Sequence, residues 1–98
     1  MPAKRPPKIL VVEDETFLVK IYAAKLKKEG YEVAIANDGE AAVRLAAETD
    51  PDLILLDLIL PKMNGFEALE KMRSSSVNKR TPVIVLSNLG QEEDIKRA

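Results

Sequence analysis

The stretch DLILLDLILPKMNGF, from Asp52 to Phe66, decides how this chain is read. It opens with the apolar run Leu53-Ile54-Leu55-Leu56, too short for a helix and consistent with a strand buried on both faces. The run ends in an acid, Asp57, and Pro61 and Gly65 then punctuate a loop before an amphipathic helix. Open α/β sheets place their ligands beyond the carboxyl ends of parallel strands, where Asp57 would lie. Aspartate is also a common turn residue, so taken alone Asp57 serves equally well as a cap for the loop or the next helix. The balance shifts because a second acidic group, Glu13-Asp14, stands far upstream in the same kind of place.

Working outward, the chain alternates strand and helix. Lys8–Val12 is a short β-branched run and reads as the first strand, with Glu13-Asp14 at its carboxyl end. Asp14 as a helix cap and Glu13 as an exposed loop residue are the plain alternatives to a site. Glu15–Glu29 reads as the first helix. Phe17, Leu18, Ile21, Tyr22 and Leu26 recur at helical spacing and are expected to face the sheet. Lys20, Lys25, Lys27 and Lys28 read as a solvated face, and Gly30 ends the helix. Tyr31–Ala36 alternates as a second strand, and the turn Asn37-Asp38-Gly39 leads into a helix over Gly39–Glu48 with Asp38 as its cap. Ala42, Leu45 and Ala46 point that helix inward. A third helix runs Gly65–Arg73 with Phe66, Leu69 and Met72 as its apolar face. Thr81–Leu86 is the fourth strand, with its proline near the start where a missing donor matters least. Gln91–Ala98 begins another helix. This βαβαβαβα order calls for a parallel sheet covered by helices on both faces, with right-handed crossovers.

Composition narrows the chemistry. The 98 residues suit one domain, and 46% apolar with 32% charged residues is an ordinary globular balance. A net charge of −1 supplies no basic field for nucleic acid. There is no Cys and no His, which removes thiolate nucleophiles, zinc sites built on either residue and every imidazole-dependent triad. Chemistry must rest on carboxylates, hydroxyls, lysines and backbone. No apolar run is long enough to span a membrane, and Met1–Pro7 reads as a disordered, Pro-rich basic tail rather than a signal peptide, so the cytoplasm is the expected location.

Glu13-Asp14, Asp57 and Ser87 follow the first, third and fourth strands, so all four can converge at one sheet edge. Three carboxylates in one cleft repel unless something positive lies among them. Oxygen-only ligands favour Mg2+. An aspartate beside Mg2+ can act as nucleophile and form an acyl phosphate, with a neighbouring hydroxyl bonding a phosphoryl oxygen.

At this point the sequence resembles the receiver domain of two-component response regulators. The resemblance is carried by Glu13-Asp14 after Val11-Val12, Gly30-Tyr31-Glu32-Val33, Asn37-Asp38-Gly39-Glu40-Ala41 and Pro51 through Asp57. Leu60-Pro61, Gly65-Phe66 and Thr81 through Ser87 complete it. It covers nearly the whole chain after the tail, residues 8–98, in order and at family spacing. It implies a flavodoxin-like (CheY-like) α/β fold and a phosphoprotein in which Asp57 accepts a phosphoryl group from a histidine kinase or phosphotransfer protein. It implies that Glu13, Asp14, Asp57 and the backbone carbonyl of Ile59 bind Mg2+, and that Ser87 is the switch hydroxyl. The implied chemistry is self-phosphorylation and dephosphorylation, not turnover of a separate substrate.

Departures from the family pattern are Leu60 before the loop proline, usually Met, and Asn88 after the switch hydroxyl, usually Ala. Ala98 falls inside the expected fourth helix. The expectation is therefore a sheet lacking the last βα unit, with no counterpart of the family's strand-five lysine and aromatic residue. A bare edge on strand four would invite a homodimer, and an assembly or folding module with impaired switching is the alternative function. A phosphatase of the aspartyl-phosphate class is disfavoured. Such enzymes carry a second Asp two residues after the nucleophile, where this chain has Ile59.

Overall fold

The computed structural model describes residues 6–57 and 64–86. The elements run β1 (Lys8–Val12), α1 (Thr16–Lys28), β2 (Glu32–Ala36), α2 (Gly39–Thr49), β3 (Leu53–Asp57), α3 (Gly65–Arg73) and β4 (Val83–Leu86). The four strands form one parallel sheet in the order β2-β1-β3-β4. That is the open α/β arrangement expected from the alternation of strands and helices. The tail expectation for Met1–Pro7 falls mainly outside the described residues, although the Pro7 carbonyl already accepts from Glu32 N–H at 2.9 Å. The expected helix from Gln91 lies wholly outside them.

The residue pattern on each strand explains the layering. Leu10 and Val12 of β1, Ala36 of β2 and Ile54 and Leu56 of β3 share one face. They pack with Ala42 and Ala46 of α2 and Ala68 and Met72 of α3, all essentially sealed from water. Small alanines let both helices sit close to the sheet and to each other. Asp38 caps α2 by accepting from Ala41 N–H at 2.8 Å, as its sequence position suggested. Asn64 does the same for α3 through Glu67 N–H at 2.8 Å.

On α1 the expected inward face needs correction. Val19 is its buried residue, while Phe17 is 71% exposed and Ile21 is also exposed. Leu18, Tyr22 and Leu26 are half-buried. A stripe through Leu18, Val19, Tyr22, Ala23 and Leu26 meets the sheet, so the helix is rotated from the face that the bulkiest residues marked. Phe66 of α3 is likewise outward, at 67% exposed, with Gly65, Ala68 and Met72 inward. The C-terminus of α1 closes as a Schellman motif: Tyr31 N–H bonds Leu26 O at 3.0 Å and Gly30 N–H bonds Lys27 O at 3.0 Å. Gly30 holds a φ of 96°, a conformation open to glycine and strained for other residues.

β4 is the outermost strand opposite β2 among the described residues, and its Ile84 is 51% exposed. The loop before it is tied down by Asn78, whose Nδ2 donates to Ala46 O at 2.8 Å, while Arg73 donates to Asn78 O at 2.9 Å.

Candidate functional site

Parallel pairing sets the level of each strand end. Val12 of β1 stands opposite Leu56 of β3 and Ala36 of β2, so the next residues, Glu13 and Asp57, arrive at the same edge. Asp57 is the last residue of β3 and pairs with Leu86 of β4. Glu13 and Asp57 are each only 2% exposed, whereas Asp14 is exposed. One carboxylate oxygen from each of the three lies within 4.8 Å of the other two.

Glu13 is therefore no exposed loop residue, and Asp14 does not cap α1. The cap position belongs to Glu15, whose side chain makes no capping bond. Glu13 is instead held at three points. Its N–H donates to Ala36 O at 3.0 Å, its carbonyl accepts from Asn37 Nδ2 at 3.2 Å, and its carboxylate accepts from Glu15 N–H at 3.2 Å. Ile59, proposed as a backbone ligand, and Ser87, proposed as the switch hydroxyl, lie outside the described residues, as do Leu60 and Asn88. Three of the five candidate site residues are thus brought together by the described structure.

Electrostatics makes the cluster a poor resting place for three negative charges. The Glu13 carboxyl is pushed up from 4.5 to about 7. Burial is the largest cause. The Glu15 N–H opposes it, while the charge of Asp57, a hydrogen bond to Asp57 and the charge of Asp14 raise it further. Without a cation, a proton on Glu13 donated to Asp57 relieves the repulsion. A divalent cation does the same and leaves all three groups ionised. The donors are hard oxygens with high total charge, the set that Mg2+ takes while retaining several waters. Two oxygens bound to one Mg2+ at about 2.1 Å each are at most roughly 4.2 Å apart, so the cluster is close to ligand spacing as it stands.

One participant escaped the sequence reading. Asn37 was read as part of a turn and of the family motif, with no role at the site, but its amide bonds the backbone of Glu13 across the sheet edge. Only the parallel register of β1 and β2 brings positions 13 and 37 together, and no local pattern announces it.

Comparison with known proteins agrees with this geometry. Residues 9–98 match the model of the response regulator receiver domain. The chain is 38% identical over 88 residues to the DNA-binding dual master transcriptional regulator RpaA of Synechocystis, covering 90% of this chain and 36% of that protein. It is 39% identical over 87 residues to the alkaline phosphatase synthesis transcriptional regulatory protein PhoP of Bacillus subtilis, covering 89% of this chain and 35% of that protein. The chain thus spans little more than a third of these curated relatives.

Among solved structures, the receiver domain of the sensor histidine kinase PA1611 from Pseudomonas aeruginosa superposes with a TM-score of 0.85 at 33% identity, over 93% of this chain and 75% of that one. That protein has a magnesium ion coordinated in its active-site cleft. Vibrio cholerae chemotaxis protein CheY4 superposes with a TM-score of 0.79 at 29% identity, over 94% of this chain and 79% of that one. With its β2-β1-β3-β4 sheet and its acidic edge, this chain belongs to the response regulator receiver domain family of two-component systems.

Proposed function

We propose that the chain is a phosphoacceptor, taking a phosphoryl group onto Asp57 from a histidine kinase or a phosphotransfer protein. The observation that carries this reading is the placement of Asp57, buried at the end of β3 with carboxylate oxygens of Glu13 and Asp14 within 4.8 Å. In the transfer, an Asp57 carboxylate oxygen forms a bond to phosphorus as the P–N bond to the donor imidazole breaks. The bonding electron pair stays on the donor nitrogen. Glu13, Asp14, Asp57 and the carbonyl of Ile59 would hold Mg2+, which when bound offsets negative charge on the transferring group. The protein's own contribution is positioning: parallel register fixes Asp57 beside Glu13, and burial keeps bulk water from the acceptor oxygen. Ser87 would hydrogen-bond the phosphoryl oxygen and report its arrival. The chain acts on itself and not on a separate substrate, and a cytoplasmic location fits such a partner. Among the described residues, no helix is long and apolar enough to cross a membrane.

Mass spectrometry after incubation with Mg2+ and acetyl phosphate tests the reading. The parent gains one phosphoryl group, and Asp57→Asn gains none. Equal labelling of both proteins, or none in a folded parent with Mg2+ present, overturns it. A second reading, association of two copies through β4, is favoured by the exposed Ile84 and Val85 on that strand, the outermost on its side among the described residues. Size-exclusion chromatography decides it, since a monomer at all concentrations tested removes that role.

A further inference from the structure

We propose that Asn37 is a positioning residue for the metal-binding carboxylates, acting through the Glu13–Asp14 peptide. The inference rests on the Mg2+ reading above and extends it to a residue outside the acidic set. The end of β2 grips Glu13 on both sides: Ala36 O accepts from its N–H at 3.0 Å, and Asn37 Nδ2 donates to its carbonyl at 3.2 Å. The first of these bonds continues the ladder between β1 and β2 by one residue. The second is different, because it is made by a side chain and it lies beyond the paired strands.

The carbonyl of Glu13 belongs to the same planar unit as the N–H of Asp14. Fixing that carbonyl fixes the plane, and with it the direction in which Asp14 leaves the backbone. Asp14 needs such help more than its neighbours. Glu13 and Asp57 are buried and held by their surroundings, whereas Asp14 is exposed. The Glu15 N–H steadies the Glu13 carboxylate but does nothing to orient the Glu13 carbonyl. Asn37 also precedes Asp38, whose carboxylate caps α2 through Ala41 N–H. The loop that presents the amide is thereby anchored to a helix packed on the core.

The test is calorimetric titration of Mg2+ into metal-free protein, beside thermal denaturation in a chelator. The parent, Asn37→Ala, Asn37→Ser and Asn37→Gln are compared, with the exposed Arg44→Ala as a control. Loss of one partly exposed hydrogen bond that acts on a ligand corresponds to about a three- to tenfold weaker Mg2+ affinity in the alanine and serine variants. Gln retains a donor of the same type and recovers part of the loss, and Arg44→Ala binds as the parent does. A purely structural bond would lower the metal-free melting temperature and leave affinity unchanged. Parental affinity in both Asn37→Ala and Asn37→Ser overturns the positioning role while the Mg2+ reading stands. A parent that binds no Mg2+ overturns the Mg2+ reading itself, and the positioning role with it.

Discussion

The dry layer beneath α2 and α3 and the acidic pocket at the carboxyl edge of the sheet are buried to nearly the same degree, for opposite reasons. Leu10, Ile54 and Leu56 are fully buried and gain by it, because apolar surface leaves water. Glu13 and Asp57, one step further along the same strands, are almost as buried and lose hydration while repelling each other. The core is complete without any addition. The pocket is completed only by a proton or a cation. Val12 to Glu13 and Leu56 to Asp57 are single steps in the chain, so the stability of the sheet and the instability of the site are built by the same two strands. The practical lesson is that changes in these adjoining regions should move stability in opposite directions.

The largest effect is expected in the core. Leu10→Ala removes a fully buried side chain between the sheet and α2, and should cost about 2–5 kcal/mol through lost transfer energy and a residual cavity. Urea denaturation would show it as a lower midpoint with an unchanged slope. Retention of the parental midpoint would mean that this layer is not the packed unit described above.

The pocket supplies the contrasting sign. Glu13 has a folded value near 7 against 4.5 for the free side chain, so between those limits the folded state holds a proton that the unfolded state has released. Stability of the metal-free protein therefore rises as pH falls from above 7 to about 4.5 and is lost again as pH climbs through 7. The change should be on the order of 1–3 kcal/mol. Saturating Mg2+ should flatten this dependence, because the cation stabilises the ionised form. Denaturation midpoints at pH 5 and pH 8, with chelator and with Mg2+, measure it, and the same slope in both conditions would sever metal from cluster.

Asp57→Asn sharpens the comparison further. It deletes one negative charge from the buried cluster and keeps the shape, and the Asn carbonyl can still accept a proton from Glu13. Metal-free stability should rise by roughly 1 kcal/mol, and the pH dependence should shrink, although the proposed phosphoryl acceptor is gone. A loss of stability on the scale of a core truncation would make Asp57 a structural residue first.

The alternation of strands and helices and the convergence of Glu13, Asp14 and Asp57 were legible in the sequence, because buried parallel strands are continuous apolar runs and their ends share an edge, whereas the order of the strands across the sheet followed only from the family resemblance. Helix faces were legible only where residue size agreed with direction. Ala42 and Ala46 are small, inward and spaced one turn apart, so α2 was read correctly. On α1 the large residues Phe17 and Ile21 drew the inward face toward themselves, while the buried position belonged to the smaller Val19. Periodicity fixes that a helix has faces, but rotation about its axis depends on which stripe the neighbouring strands accept. Asn37 was illegible for a related reason: its partner is 24 positions away and its side chain meets a backbone atom.

The smallest expected effect comes from that misread face. Phe17 is large and apolar, and by residue type alone its truncation should rank with Leu10→Ala. With 71% of its surface in water, little transfer energy is at stake. Phe17→Ala should shift stability by no more than about 0.5 kcal/mol, as surface substitutions usually do. Val19→Ala removes fewer atoms from a buried position on the same helix and should cost more, about 1–2 kcal/mol. The order of these two variants matters more than either value. If Phe17→Ala were the more destabilising, α1 would sit on the sheet through the stripe that residue size suggested. Chemical denaturation of the two variants side by side separates these arrangements without reference to phosphorylation or to metal.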